Sequence, residues 1–524
     1  MGTRGRVGER RSPPAERGPR PPRPLQPGPD SRKNQVSSAI GAAKLNGRFY
    51  TPLEVADAML ERVRWPAGGG SLLDPACGEG VFLEAALRKI ARLRLSREDL
   101  DQVSLAGWDL DPEALREARR GLAATIAGYG LPMLLMPRLH HRDALETPIL
   151  QPACVVGNPP YLESKRMPEA LKARIRERFP AAATGAFDLY GAFVALTLEA
   201  EPEELSLLLP NRFLVTANAA ALRRELQARY ELEITDLSRE RVFGDAAVYP
   251  VVIHGRRRKA RARAAPEARS RDRREAVLPI LPPPGPAREL FRRLRDDETL
   301  PRLADALEIR WTVSFHRAGL RDAFVSPPEA GHPASPHARP FLGGQRFSGN
   351  REVEPCRIAW RGAHIDYDEA RARAAKNPLP PLGLFEGPAL VICQNARRLR
   401  CAVDTEGHVL KDTFLHGRPR GGGVRGLKWL ALVLQSDLMH FFYEHLWGGT
   451  RKAGGHLHFL GRTLEGLPLP PGKPPAGVEA LYRRIGEGDQ AARARAEALV
   501  RAAYGVTATE EAALAAYPFP PPGA

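Results

Sequence analysis

Cysteine is scarce in this chain: five in 524 residues, at Cys77, Cys154, Cys356, Cys393 and Cys401, with no CxxC pair among them. That scatter argues against a disulfide framework or a structural zinc site, and it fits a reducing compartment, so a cytoplasmic protein is expected. No apolar run approaches the roughly 20 residues of a membrane span, and the first residues lack the hydrophobic stretch of a signal peptide. A soluble protein with no membrane partner is expected. No Walker-type GK[ST] loop is present, which argues against a phosphate cradle of the ATPase kind. His456 and His458 stand at strand spacing without further ligands, so they read as structural and no metal is expected. Acidic residues are the minority, 61 Asp and Glu against 78 Lys and Arg, for a net charge of +17. Such an excess suits a polyanionic partner, although the abundance of Arg, Ala, Pro and Gly accounts for part of it.

What is present supports real cores. The hydrophobic fraction is 43%, and the length has room for about two or three domains. Residues 1–34 are Pro, Arg and Gly with almost nothing apolar, and they predict a disordered basic arm. Residues 35–255 carry alternating strand and helix patterns and are predicted to form an α/β, doubly wound sheet. Residues 256–286 are first Arg-rich and then Pro-rich, a linker. Residues 287–471 hold short apolar runs between Gly- and Pro-rich turns, a mixed α+β domain. Residues 472–524 form the tail, with one charged amphipathic helix predicted over 478–504 and a frayed end from Phe519.

The chemistry concentrates at strand ends. Ser71 to Asp74 predicts a strand that runs into Pro75-Ala76-Cys77-Gly78-Glu79-Gly80, followed by an apolar helix. Gly78 and Gly80 let a ligand approach the backbone closely, while the carboxylate of Asp74 repels pyrophosphate and pairs with a cationic amino group. The next strand, Ser104 to Trp108, ends in Asp109-Leu110, an acid placed for ribose hydroxyls and a leucine placed for an adenine face. Asp143-Ala144 follows a third strand position. An apolar strand then ends abruptly in Asn158-Pro159-Pro160-Tyr161, because prolines cannot extend a sheet. Alone, that stretch is equally compatible with a plain proline turn. As a site, it offers an amide oxygen and a carbonyl to the exocyclic amine of a base, and a ring to stack on it. Upstream, Thr51 is expected to N-cap a helix with Pro52 at its first position. Two closing strands are predicted over Leu237 to Val242 and Val248 to Ile253, with Phe243 between them. Basic, Gly-rich loops carrying Arg418, Arg420, Arg425, Arg451 and Lys452 suit phosphate contacts.

Taken together, these elements resemble the N6-adenine DNA methyltransferases of restriction–modification systems, in the order cofactor motifs, catalytic motif, recognition domain. Gly47 to Pro52 is similar to the N-terminal cofactor motif, so Phe49, Thr51 and Pro52 are implied in binding. Asp74 to Leu83, with Asp74, Ala76, Gly78 and Gly80, resembles the main S-adenosyl-L-methionine loop. Asp109 and Leu110 match the ribose-binding position, Asp143 and Ala144 the adenine-amine acceptor, and Asn158 to Tyr161 the catalytic NPPY. Phe243, in Val242-Phe243-Gly244, looks like the aromatic opposite Tyr161 around a flipped base. Leu410 to Phe414, Leu427 to Leu438 and Leu467 to Pro470 resemble pieces of the recognition domain. The resemblance implies an S-adenosyl-L-methionine-dependent, Rossmann-like methyltransferase domain, a target-recognition domain and double-stranded DNA as substrate. Asn158, where cytosine-N4 enzymes usually carry serine, favours adenine. The fused enzymes of this group carry a large N-terminal nuclease domain for which the forty-odd residues here leave no room, so a methyltransferase without endonuclease is expected; a monomer is expected too, and a cognate restriction endonuclease stays open as a partner. Two alternatives remain open: an RNA or protein N-methyltransferase with the same loop, and an inactive DNA-binding specificity protein.

Overall fold

The computed structural model describes residues 2, 50–67, 69–148, 151–238, 242, 249–259, 277–315, 319–327, 335–343 and 351–520. The basic arm over 1–34, Phe49, Phe243 and most of the expected linker lie outside the described residues.

Seven strands form the first sheet: β1 (Gly70–Asp74), β2 (Val103–Asp109), β3 (Arg138–His141), β4 (Cys154–Gly157), β5 (Glu204–Pro210), β6 (Tyr230–Asp236) and β7 (Pro250–Arg257). Their order is β3-β2-β1-β4-β5-β7-β6, and β7 alone runs antiparallel to its neighbours. Because side chains alternate across a strand, the apolar runs feed two faces. Leu73, Val155, Leu205, Leu207 and Ile253 belong to one buried cluster, with helices α4 (Leu189–Ala200) and α5 (Ala220–Arg229). Leu72, Leu105, Cys154, Val156, Leu208 and Val252 belong to the other, with α1 (Leu53–Arg62), α2 (Val81–Leu93) and α3 (Pro112–Tyr129). Helices on both faces of a mostly parallel sheet make the fold α/β and doubly wound. The strand order reverses between β1 and β4, which is where such sheets open a ligand crevice.

Two expectations for this half are corrected. The first closing strand is Tyr230–Asp236, earlier than the predicted Leu237–Val242. It lies at the sheet edge and alternates apolar with polar residues, so it lacks the continuous apolar run that marks a central strand. Thr51 does not cap α1. The N-cap is Pro52, with no side-chain cap, and the Pro52 carbonyl accepts from Val55 and Ala56.

The second half is built on an antiparallel sheet of β8 (Leu307–Arg310), β9 (Ala389–Cys393), β10 (Cys401–Asp404) and β11 (Phe414–Pro419), in the order β10-β9-β11-β8. Against it and each other pack α6 (Pro286–Asp296), α7 (Gly423–Leu434), α8 (Asp437–Trp447), α9 (Val478–Gly486), α10 (Gln490–Ala503) and α11 (Ala508–Ala515). The single tail helix expected over 478–504 is two. Gly488, at φ +89, turns the chain, and the Asp489 side chain caps the new helix by accepting from Ala492 N. The end is not frayed at Phe519, whose ring meets Tyr517 at 4.8 Å and lies under the Arg398 guanidinium.

The two halves meet directly. Leu278 N donates to Leu214 O at 3.0 Å and Ile280 N to His445 O at 2.8 Å. Asn211, at the end of β5, donates through Nδ2 to Arg451 O at 3.1 Å. Gly449 packs so closely there that a Cβ would stand 2.6 Å from the Asn211 carbonyl oxygen. The loop of the second half is therefore seated at the carboxyl edge of the first sheet. Among the described residues, no helix is long and apolar enough to cross a membrane, and no group of three His, Cys, Asp or Glu stands ready to hold a metal ion. All five cysteines are free and buried.

Candidate active site

Register brings the strand-end residues to one edge. Asp74 lies opposite Gly107 two residues before Asp109, and Leu73 pairs with Val155, three residues before Asn158. Asp74, Asp109 and Asn158 thus flank the switch between β1 and β4. Gly157 has hydrogen where any other residue would carry Cβ, and that Cβ would stand 2.9 Å from Asp74 Oδ1. The loop that follows β4 can pass the carboxylate only because this position is glycine.

Asp74 is 1% exposed. Its Oδ1 accepts from Ala76 N at 3.0 Å, and its Oδ2 has no hydrogen-bond partner among the described residues. Burial pushes its carboxyl up to about 8, against the Ala76 bond and with help from the charge of Asp109. A buried carboxyl without a counter-charge is costly, and a cationic ligand is what relieves it. Asp109 is pre-oriented differently: Oδ2 accepts from Gly78 N and Oδ1 from Asp111 N, both at 2.8 Å. Gly78 adopts φ +52 and a Cβ there would meet nothing within 4 Å, so the loop is open above the strand ends. Ala76 is half-buried beside it and Gly80, at φ +85, leads into α2. Leu110 is 59% exposed, an apolar side chain on offer to a flat ligand. S-adenosyl-L-methionine, with an ammonium, a sulfonium and a ribose, fits this donor set. Burial, with Asp74 and Asp109 beside it, pushes the Cys77 thiol far up, away from the thiolate form.

Asp143 follows β3 and is held in place by its own Oδ1 accepting from Leu145 N at 2.9 Å, while Oδ2 pairs with Arg174 at 2.8 Å. Ala144 beside it is buried in the core. Asn158 donates through Nδ2 to Thr51 Oγ1 at 3.1 Å. That contact engages the Thr51 hydroxyl with an amide 107 residues away, while Pro52 takes the N-cap position of α1. It also turns the amide so that its nitrogen is engaged, the orientation an acceptor role for Oδ1 requires. Pro52 is half-buried next to it, Pro159 is buried and Pro160 half-buried. Tyr161 is 8% exposed, donates to Leu208 O at 3.1 Å, and meets Tyr190 edge to face at 6.1 Å.

Sequence reasoning missed the group that pins this loop. Ser164 N donates to Phe187 O and Leu189 N to Leu162 O, both at 2.9 Å, a short ladder behind Tyr161. Arg212 then clasps both sides, ion-pairing with Asp188 and, at 3.1 Å, with Glu163. Its guanidinium also lies 6.0 Å from the Tyr190 ring centre. Burial pushes Asp188 up to about 6 and Arg212 opposes it. The available signal was an arginine just past one strand end and an acid at a helix start, both on the carboxyl side of the sheet.

The expected phosphate-binding residues divide. Arg418, Arg420 and Arg425 are exposed around the turn from β11 into α7, and Lys452 is exposed beside His458. Arg451 is not available. It is 7% exposed and ion-pairs with the buried Glu444, because the 448–451 loop folds inward against β5.

Residues 153–243, which include Asn158 to Tyr161, match the Eco57I restriction-modification methylase family. The chain is 27% identical over 234 residues to the Type II methyltransferase M.BstVI of Geobacillus stearothermophilus, covering 40% of this chain and 42% of that one. It is 26% identical over 280 residues to the Type II methyltransferase M.PaeR7I of Pseudomonas aeruginosa, covering 48% and 49%. The matched stretches thus span less than half the length of these relatives. In fold, 92% of the chain aligns with 77% of the Type IIL restriction-modification enzyme MmeI, solved in complex with DNA, at TM-score 0.54 and 13% identity. In the sequence around Asn158 to Tyr161 and in its fold, this chain is similar to the methylases of restriction–modification systems.

Proposed function

We propose that this chain methylates N6 of adenine in duplex DNA at a specific site, as the modification part of a restriction–modification system. The carrying observation is Asn158 at the carboxyl end of β4, its amide nitrogen held by Thr51 and its loop passing Asp74 through Gly157. The similarity to Type II methyltransferases supports the reaction class. The substrate base rests on Asn158 itself.

When bound, S-adenosyl-L-methionine supplies a methyl group on a sulfonium sulfur, which departs as a neutral thioether. Asp74 balances the cationic end of the cofactor, Asp109 accepts from ribose hydroxyls, and Leu110 covers its adenine. The target adenine is extruded from the duplex at a cost of a few kcal/mol. Asn158 Oδ1 and the Pro159 carbonyl accept its two N–H groups, directing the nitrogen lone pair at the methyl carbon. Tyr161 supports one face of the base, and Phe243 is proposed for the other. Catalysis is then positioning and fixed dipoles, and the proton of the new C–N bond's nitrogen leaves to water. Residues 287–471 are proposed as the recognition domain, with Arg418, Arg420, Arg425 and Lys452 on the DNA backbone.

The test is tritium transfer from labelled S-adenosyl-L-methionine to duplex DNA, RNA and protein, with Asn158→Ala alongside. The expected result is label in DNA adenine only, reduced at least about 100-fold by the substitution, a typical loss when one positioned polar group is removed, with DNA affinity unchanged. Label in RNA or protein, or full activity in the variant, would overturn the proposal.

A further inference from the structure

A cavity of opposite character, lined by arginines, lies in the other half of the molecule. This cavity, of about 460 Å³, is lined by Arg351, Arg361, Arg400 and Arg493, with two acids, Glu354 and Asp489. The acids do not neutralise it. Glu354 pairs with Arg357 at 3.8 Å, and Asp489 with Arg484, whose Nε donates to Oδ2 at 2.7 Å. Neither of those two arginines lines the cavity. Arg351, Arg400 and Arg493, by contrast, form no ion pair with any described residue, and Arg400 Nε is buried with no hydrogen-bond partner among them. Burial lowers the basicity of Arg493, and the positive charge of Arg398 lowers it further, against the pull of Glu497 and Asp437. Four guanidinium groups thus line one cavity, and three of them, Arg351, Arg400 and Arg493, have no carboxylate within ion-pair distance among the described residues.

The shape and chemistry narrow the ligand. Guanidinium presents a planar fork of donors that matches phosphate oxygens two at a time. The volume falls within the range of small-molecule sites but the lining is polar and basic, which excludes an apolar guest. Helix α10 begins at Gln490 on the wall, yet its first turn is already capped by Asp489, so the arginines carry the site. We propose that this cavity binds phosphate groups, as a pyrophosphate-like pair of anions. They come either from the backbone of bound duplex or from a free di- or triphosphate. The site is built from residues 351–361, Arg400 and 485–493, and it uses none of the residues assigned to methyl transfer.

The probe is inorganic pyrophosphate, titrated into the full chain and followed by thermal shift, with sodium chloride at matched ionic strength as control. The variants are Arg361→Gln, on an exposed side chain whose loss leaves the core intact, and the double change Arg400→Gln with Arg493→Gln. Wild type is expected to be stabilised beyond the control, and each variant to bind pyrophosphate about tenfold or more weakly, the typical effect of losing a hydrogen bond to a charged group. DNA binding across a salt series then separates the sources. A uniform loss of affinity, with the salt slope reduced by about one per phosphate contact, assigns the site to the duplex. Unchanged DNA binding with lost pyrophosphate binding assigns it to a free phosphate ligand. A wild type that pyrophosphate does not stabilise beyond the control, or variants that titrate like it, overturns the proposal. None of these readouts requires methyl transfer, so the two proposals fail separately.

Discussion

Replacing Asp74 with asparagine is expected to stabilise the protein while removing much of its grip on S-adenosyl-L-methionine. The side chain is 1% exposed, and burial pushes its carboxyl from an ordinary 3.8 up to about 8. A raised acid favours the folded state fully below the unfolded value and loses that contribution as pH climbs toward the folded one. At 1.36 kcal/mol per pH unit, the span from 3.8 to about 8 amounts to about 5–6 kcal/mol, an upper bound because relaxation and water entry reduce such penalties. Asparagine has nearly the same shape, its Oδ1 retains the Ala76 N–H, and its Nδ2 places a donor where the unpartnered Oδ2 now stands. Urea denaturation at pH 5, 7 and 8.5 checks the sign. The variant should gain little at pH 5 and about 2 kcal/mol or more at pH 8.5, a portion of that bound. Calorimetric titration of S-adenosyl-L-methionine checks the function, where loss of the counter-charge should weaken binding about tenfold or more. A variant less stable than wild type at pH 8.5, or one that binds equally well, would refute the assignment of Asp74 as an uncompensated carboxyl awaiting a cation.

Gly449→Ala drives a Cβ to within 2.6 Å of the Asn211 carbonyl; it should cost about 1–3 kcal/mol by overpacking and lower DNA methylation more than cofactor binding, as denaturation and titration together will show. Glu444 is buried, and although burial raises its carboxyl, the His440 hydrogen bond and the Arg451 charge hold it far below the carboxylate range. Its contribution is thus present above its unfolded value near 4.3 and lost as pH falls below it. Glu444→Ala should cost about 3–5 kcal/mol at pH 7 by leaving Arg451 buried without its partner, a loss read from urea midpoints. Arg418→Ala, on an exposed side chain, should instead leave the melting temperature unchanged and lower the salt slope of DNA binding by about 1. Arg451→Ala should do the reverse.

Sequence alone determined the sheet and the polar residues at its carboxyl edge. Asp74, Asp109 and Asn158 each end an apolar run, and a proline within the next three residues stops the strand there. That logic is local, because backbone hydrogen bonding and proline sterics act on neighbouring residues. It weakened where burial is partial: the edge strand Tyr230–Asp236 alternates and was placed too late. It failed where a side chain had to choose between local and distant partners. Thr51 had the pattern of a helix cap and serves Asn158 instead. Arg451 had the pattern of a phosphate-binding loop and is folded inward onto Glu444. Arg212, Asp188 and Glu163 carry no joint pattern at all, yet they clamp the segment behind Tyr161. Only the tertiary structure decides such pairings, because the energy of a charge or a hydroxyl depends on which groups surround it and how dry they are, and chain positions 107 residues apart become neighbours only once the sheet has formed.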